Sequence, residues 1–269
     1  MQIYKYMNIG TAKPTPAEMQ NIPHHMIDII TPDTPFTAAE FKTRATHIIK
    51  DIQSRGKTPI LTGGTGFYIN AAIYNNDFAP AATSNRAFYE DLAQKEGAEA
   101  LHNRLKKADP IAADNIHPNN IKRVIRALAF TEETGIPFSS HGAAHKPSTL
   151  IHETRLFCLD WARETLYNRI NQRTQEMLNA GLEEEVRTLL KKGYSPKLAP
   201  MQAIGYKEII QLINGQLTLS DAEAAIKQAT RRYAKRQITW FKNQTPNAHS
   251  LHPNEKTTAQ MVLDIMEAC

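Results

Sequence analysis

Between residues 57 and 73 the chain reads Lys57-Thr58-Pro59-Ile60-Leu61-Thr62-Gly63-Gly64-Thr65-Gly66-Phe67-Tyr68-Ile69-Asn70-Ala71-Ala72-Ile73. Lys57 to Thr62 has the apolar character of a short buried strand, Gly63 to Gly66 is a turn, and Phe67 to Ile73 opens a helix. Strand, glycine turn and helix in that order are the grammar of an open α/β sheet, whose ligands gather at the carboxyl ends of the strands. Such a turn leaves backbone N–H groups facing outward at a helix N-terminus, where an anion is favoured. A tight turn that needs glycine for backbone reasons alone explains the same residues. No Gly-Lys-Ser/Thr follows, so this is not a phosphate-binding P-loop.

Upstream, Thr37-Ala38-Ala39-Glu40 has capping-box spacing and predicts a helix to about Arg55. Phe41, Ala45, Ile48, Ile49 and Ile52 form its apolar stripe, and Gly56 stands where a C-terminal cap belongs. Downstream the character becomes helical only: Asn85 to Lys95, Gly97 to Lys107, Ile111 to Ile116 and Asn120 to Glu133. Thr154 to Trp161 reads as a central strand again, after a polar linker from His141 to His152. Helices are then expected over Arg163 to Asn179, Leu182 to Lys192, Met201 to Ile213 and Ser220 to about Asn243. The expected organisation is an α/β core made of 1–82 and 142–269, with 83–141 as an inserted helical domain.

The 41% apolar and 22% charged composition of the 269 residues is that of an ordinary soluble globular protein, which excludes a disordered or fibrous chain. No apolar run reaches the length of a membrane span or fits a signal peptide, so a cytoplasmic location is expected. Cys158 and Cys269 are too few for a disulfide framework or a zinc site and read as reduced thiols. The net charge of +5 is mild, so its distribution matters more than its size.

Arg173 is one place where charge is informative. On the predicted helix from Arg163, Leu166, Ile170 and Met177 share a stripe, and Arg173 falls inside it. A guanidinium on a buried face is costly unless it meets a carboxylate or an anion. A salt bridge to a nearby glutamate is one reading; a diphosphate clamp shared with Arg169, one turn earlier, is the other. The last long helix is the second place. Ala225 to Lys242 holds six cations and no acid. Lys227, Arg231, Lys235 and Lys242 project on one stripe, with Ile226, Tyr233, Gln237 and Trp240 opposite, so one face is expected to pack and the other to track phosphates. Lys122, Arg123 and Arg126 form a smaller basic group on the inserted helices. His24, His25 and Asp28 do not make a metal site, because adjacent side chains on an extended segment diverge and no further ligands stand at useful spacing.

Taken in order, several stretches resemble the bacterial tRNA dimethylallyltransferase (tRNA isopentenyltransferase) family. They are Met1-Gln2-Ile3-Tyr4 with Asn8-Ile9-Gly10-Thr11-Ala12-Lys13-Pro14; Pro23-His24-His25-Met26-Ile27-Asp28; Pro59 to Tyr68; and His117-Pro118-Asn119-Asn120 with Arg123 and Arg126-Ala127-Leu128. Arg169-Ile170 with Arg173, Met177, Gly181-Leu182 and Glu185, then Ile204-Gly205-Tyr206-Lys207 and Ala234 to Phe241, complete the set. The resemblance covers essentially the whole chain. It implies a P-loop-kinase-like parallel-sheet core with an all-helical insertion domain, the two forming a channel. It also implies transfer of a dimethylallyl group from dimethylallyl diphosphate to the exocyclic amine of the adenosine 3′ of the anticodon. The partner would be the tRNA anticodon stem-loop, with that adenosine flipped out of its stack. The enzyme would be a monomer, with magnesium (Mg2+) neutralising the departing diphosphate.

Residue by residue, the resemblance gives Thr65 a place at the reacting centre. It gives Arg173, with Gly63, Gly64 and Arg169, the diphosphate. Met1 and Gln2 would touch the substrate base. Arg86, Lys122, Arg123, Arg126, Gln202, Gly205, Tyr206, Lys207, Lys235, Arg236, Gln237, Trp240 and Lys242 would contact tRNA. The family pattern also has a Gly-x-x-x-x-Gly-Lys-Thr loop and an Asp-Ser pair ahead of the position of Met1, the aspartate being the general base. Neither is among these residues, and most magnesium ligands are expected with them. A kinase-like nucleotide-phosphate enzyme shares the core, but the basic helix and the long insertion argue against it. The alternative to an enzyme is a truncated remnant that binds tRNA without turnover. The codons upstream of Met1 are expected to encode both motifs; in-frame stop codons there would favour the remnant.

Overall fold

A computed structural model describes residues 1–75, 85–140, 150–245 and 247–268. The boundaries expected at 82/83 and 141/142, and most of the His141–His152 linker, lie outside the described residues. The chain divides into two compact units, Met1–Gly66 with Arg155–Cys269, and Phe67–Thr154.

The first unit is mostly helical. Helix α1 (Ala38–Ser54) starts where Thr37 Oγ1 accepts the Glu40 N–H at 3.1 Å, and Gly56 follows it at φ +65°. Strand β1 (Phe157–Leu159), helix α6 (Arg163–Asn179), α7 (Leu182–Lys191), α8 (Tyr206–Ile213), α9 (Leu219–Gln244), β2 (His249–Leu251) and α10 (Thr258–Ala268) come later in the chain. β1 and β2 pair in parallel, Phe157 with His249 and Leu159 with Leu251. Met7, Leu182, Val186, Leu189, Met201, Tyr206, Ile209 and Ile226 form the core between the N-terminal loop and α7, α8 and α9. Each such side chain contributes about 1.5–3 kcal/mol by leaving water.

Three features differ from the sequence reading. Lys57 to Thr62 is not a buried strand: it joins no ladder, and Ile60 is 86% exposed. Apolar character makes a strand only where a neighbouring strand takes up its backbone groups, and β1 pairs with β2 instead. The helix expected over Met201 to Ile213 is broken by Gly205 at φ +94°, whose N–H is accepted by the Glu208 carboxylate at 2.8 Å. β2 and α10 were not anticipated. Yet α10 carried a readable signal, because Thr257 and Gln260 make a capping box: the Thr257 N–H donates to Gln260 Oε1 at 2.8 Å and the Gln260 N–H to Thr257 Oγ1 at 3.3 Å.

The loop from Met1 to Ile30 is irregular and strained. Tyr6, Ala12, Met26 and Asp28 all have φ between +46° and +68°, a region that costs a non-glycine residue about 1–3 kcal/mol. Polar side chains hold it. Gln2 Nε2 donates to the Thr11 and Ala12 carbonyls at 3.1 and 2.9 Å. The Lys13 ammonium donates to Tyr4 O and Asn8 Oδ1, both at 2.8 Å, and to Asp28 at 2.5 Å. Glu185 on α7 accepts the Asn8, Ile9 and Gly10 N–H groups at 2.8, 2.7 and 3.1 Å, and the Tyr206 hydroxyl at 2.7 Å. Burial, and then the Glu185 charge, push the Tyr206 phenol far above its ordinary pKa. Gly10 has no room for a side chain, since an added Cβ would lie 2.6 Å from the Tyr206 ring.

The second unit contains α2 from Phe67 onward (Gly66–Ile73), then α3 (Arg86–Ala108), α4 (Pro110–Asn115) and α5 (Ile121–Thr134). Gly97, at φ +84°, splits α3 between the two segments read from sequence. Leu101, Leu105, Val124, Leu128 and Phe130 form the centre of a separate core. Asp109, 2% exposed, caps α4 through the Ala112 N–H at 3.0 Å and receives the Ser139 N–H and hydroxyl at 2.7 and 2.8 Å. Burial by itself would raise its pKa; these hydrogen bonds overcome that and lower it.

Glu185→Ala is expected to lower stability by about 2–4 kcal/mol, read by denaturant unfolding, because it strands several donors at once. Asp109 has a depressed folded pKa, so its stabilisation is complete above the ordinary carboxylate value of about 3.9 and is lost as pH falls through the folded value. The melting-temperature gap between the wild type and Asp109→Asn should therefore shrink as pH is lowered from 6 to about 2.5.

Candidate active site and nucleic-acid interface

The glycine turn rests on α9. Gly64 O accepts a hydrogen bond from Gln237 Nε2 at 2.8 Å. Gly66 faces the Trp240 ring so closely that an added Cβ would lie 2.1 Å from it. Thr65, between them, is exposed, and so is Gly63. Gly63, Gly64 and Thr65 thus lie beside Gln237 and Trp240, a grouping that sequence spacing could not supply.

On α6 the buried positions are Ile170 and Thr174. The packed face therefore centres near Thr174, and Arg173, about 100° round the helix, emerges from it rather than lying inside it. The shift follows from what α6 packs on. Asn171 accepts a hydrogen bond from Arg231 Nη1 of α9 at 2.7 Å, and that guanidinium stands 6.0 Å from the Tyr167 ring. Among the described residues Arg173 has no hydrogen-bond or ion-pair partner. Partial burial alone lowers its pKa, with no neighbouring charge contributing. Arg169 stacks over Trp161 at 4.5 Å from the ring centroid.

Along α9 the expected four-cation stripe is divided. Lys227 pairs with Glu223, and Arg231 is taken up against α6, because the first half of the helix packs on that side too. Tyr233, expected on the packed face, is 39% exposed, with Arg236 over its ring at 5.8 Å. Arg232, Lys235, Arg236 and Lys242 are the exposed cations. Of the other expected contacts, Gln202 is exposed and donates to Pro196 O at 2.7 Å, and exposed Lys207 stands 3.4 Å from Glu208. Gly205 and Tyr206 are buried, the latter fully. Met1 is exposed and Gln2 is turned onto its own loop.

In the second unit Lys122, Arg123 and Arg126 are exposed on α5. Burial, then the Arg123 charge, lower the Arg126 pKa, and its guanidinium lies 5.9 Å from the Phe138 ring. Arg86 is paired with Glu90 at 2.8 Å. Sequence reasoning gave Glu185 and Lys13 no role, although both organise the loop that carries Met1 and Gln2. Their partners are backbone groups brought close by the fold, which leave no trace in a sequence pattern. Among the described residues no cluster of three His, Cys, Asp or Glu side chains is set to hold a metal ion.

The model of the IPP transferase family matches residues 2–244. A tRNA dimethylallyltransferase of Geobacillus thermodenitrificans is 50% identical over 248 residues, covering 91% of this chain and 78% of that protein. One from Staphylococcus aureus is 46% identical over 98% of this chain and 85% of its own length. The crystal structure of tRNA delta(2)-isopentenylpyrophosphate transferase from Staphylococcus epidermidis is similar at 43% identity and a TM-score of 0.71, covering all of this chain and 87% of that one. A eukaryotic dimethylallyltransferase acting on tRNA aligns with a TM-score of 0.81 at 27% identity, over 99% of this chain and 70% of its own. No helix among the described residues is long and apolar enough to cross a membrane.

Lys242 and Cys158 offer a chemical check on the end of α9. Burial, then the Asp160 charge, raise the Cys158 thiol pKa, and Lys242 partly opposes them. Alkylation of Cys158 at pH 8 should therefore be faster in Asp160→Asn and slower in Lys242→Gln than in the wild type, since the thiolate is the reacting form.

Proposed function

Because the chain belongs to the IPP transferase family, we propose that it transfers a dimethylallyl group from dimethylallyl diphosphate to the exocyclic amine of the adenosine 3′ of the anticodon in tRNA. The amine nitrogen forms a bond to the allylic carbon, the carbon–oxygen bond to diphosphate breaks, and the amine gives its proton to a general base, the role the resemblance implies for an aspartate ahead of the position of Met1. Negative charge gathers on the leaving diphosphate. The observation that carries this reading is Arg173, a guanidinium with no carboxylate partner among the described residues, although six other cations pair i,i+4 with acids along their helices: Arg44, Arg55, Arg86, Lys95, Arg187 and Lys227. An exposed arginine left uncommitted is suited to a diphosphate, because its planar fork of donors matches phosphate oxygens bidentately. Arg169 sits one turn earlier, and the glycine turn offers Thr65 to the adenosine.

In this reading the RNA backbone meets exposed cations: Lys235, Arg236 and Lys242 on α9, Lys207 at the start of α8, and Lys122, Arg123 and Arg126 on a helical insertion domain corresponding to 83–141. The P-loop-kinase-like form of the core and the monomeric state belong to the same proposal. Magnesium enters it only as a companion of the diphosphate, with no ligands assigned among the described residues.

Arg173→Ala should lower the single-turnover transfer rate by about 100-fold or more, the scale of one lost preorganised donor to a developing anion. The dissociation constant for tRNA should stay within about twofold. The opposite pattern would remove Arg173 from the diphosphate. Lys235→Ala should weaken tRNA binding and reduce the slope of log affinity against log salt by about one.

A further inference from the structure

The C-terminal half of α9 faces two ways. Lys235 and Lys242 are exposed, and helical geometry puts them about 140–160° round the axis from Gln237 and Trp240. Those two are half-buried against the glycine turn. The Gln237 side chain makes one hydrogen bond among the described residues, from Nε2 to Gly64 O at 2.8 Å. An added Cβ at Gly64 would lie 2.1 Å from that same nitrogen, and one at Gly66 would run into the indole of Trp240. Both neighbours of Thr65 are therefore in contact with α9, at positions that admit no side chain.

We propose that Gln237 and Trp240 are positioning residues: they seat the Gly63–Gly66 turn, and Thr65 with it, on the helix whose opposite face meets RNA. The resemblance alone would make both of them tRNA contacts; the geometry gives them to the protein's own turn. This deepens the prenyl-transfer reading and rests on it for the role of Thr65 and the identity of the RNA. The physical consequence is a shared rigid element. The cations of α9 that meet the RNA backbone and the groups that fix Thr65 stand two to five residues apart on one rod, so α9 couples the position of docked RNA to that of the reacting threonine. A misplacement of about 1 Å at a reacting centre costs on the order of 100-fold in rate, which is the precision such an arrangement protects.

Gln237→Met keeps the length of the side chain and removes the donor. In the full chain, three measurements follow: amide hydrogen exchange of the peptide spanning 62–73, which includes the helical amides of α2 that the turn leads into, tRNA affinity by fluorescence anisotropy, and single-turnover transfer with labelled dimethylallyl diphosphate. The expected result is exchange about tenfold or more faster, transfer about tenfold or more slower, and a tRNA dissociation constant within about twofold of wild type. Unchanged exchange with tRNA affinity weakened about fivefold or more would overturn the proposal and return Gln237 to the RNA. Trp240→Phe, which keeps a ring against Gly66, is expected to lie between wild type and Gln237→Met in exchange, and thermal melting checks that both variants fold. The exchange measurement stands without turnover: faster exchange supports the seating role, and unchanged exchange overturns it. A wild-type chain that binds no tRNA would instead strike at the prenyl-transfer reading.

Discussion

The Glu185 carboxylate receives four donors: three consecutive backbone N–H groups from Asn8 to Gly10, and the hydroxyl of buried Tyr206. Successive N–H groups curled round one anion are a common way for a backbone to bind phosphate; here the anion is the protein's own. This arrangement fixes a loop that has little regular structure and several residues in the left-handed region. Without an acceptor on α7, the part-buried Ile9 and Gly10 N–H groups and the Tyr206 hydroxyl would lose their acceptor at the edge of the core. The position of Met1 and Gln2, and the absence of a side chain at Gly10, follow from that one carboxylate.

Charge is distributed with a comparable economy. Most helices neutralise their cations locally through pairs one turn apart, which contribute only a few tenths of a kcal/mol each. Arg169 and Arg173 on α6, the Lys122, Arg123 and Arg126 group of α5 and the exposed half of α9 have no such pair among the described residues, and they are the places where a polyanion or a diphosphate would be met. The division within α9 has a packing cause. Its first half lies on α6, so Lys227 and Arg231 are used internally, and only the later cations remain for a partner.

Much of this was readable in the sequence because the signals were local. The capping spacing at Thr37, the glycines after α1 and within α3, and the apolar spacing of α6 marked helices that the structure contains. A strand at Phe157 was legible for the same reason, but it spans Phe157–Leu159 and pairs with β2 on one side, so it is not the central strand expected over Thr154 to Trp161. Lys57 to Thr62 was misread because a strand is a property of two segments, and its own residues say nothing about a partner. Arg173 was placed on the packed face by an apolar stripe drawn from Leu166, Ile170 and Met177. The true centre, near Thr174, depends on Asn171 and Tyr167 meeting Arg231 of another helix. The seating of the glycine turn on Gln237 joins residues 173 positions apart and had no sequence signature.

Lys13 shows what such wiring does to a charge. An ammonium has three protons to donate, and here Tyr4, Asn8 and Asp28 take one each, inside a side chain almost wholly withdrawn from water. With Asp28 beside it, the pair is close to neutral when viewed from outside. Unlike exposed Lys5 in the same segment, Lys13 therefore presents no free charge to nucleic acid, and acylating reagents that mark surface amines would pass it by.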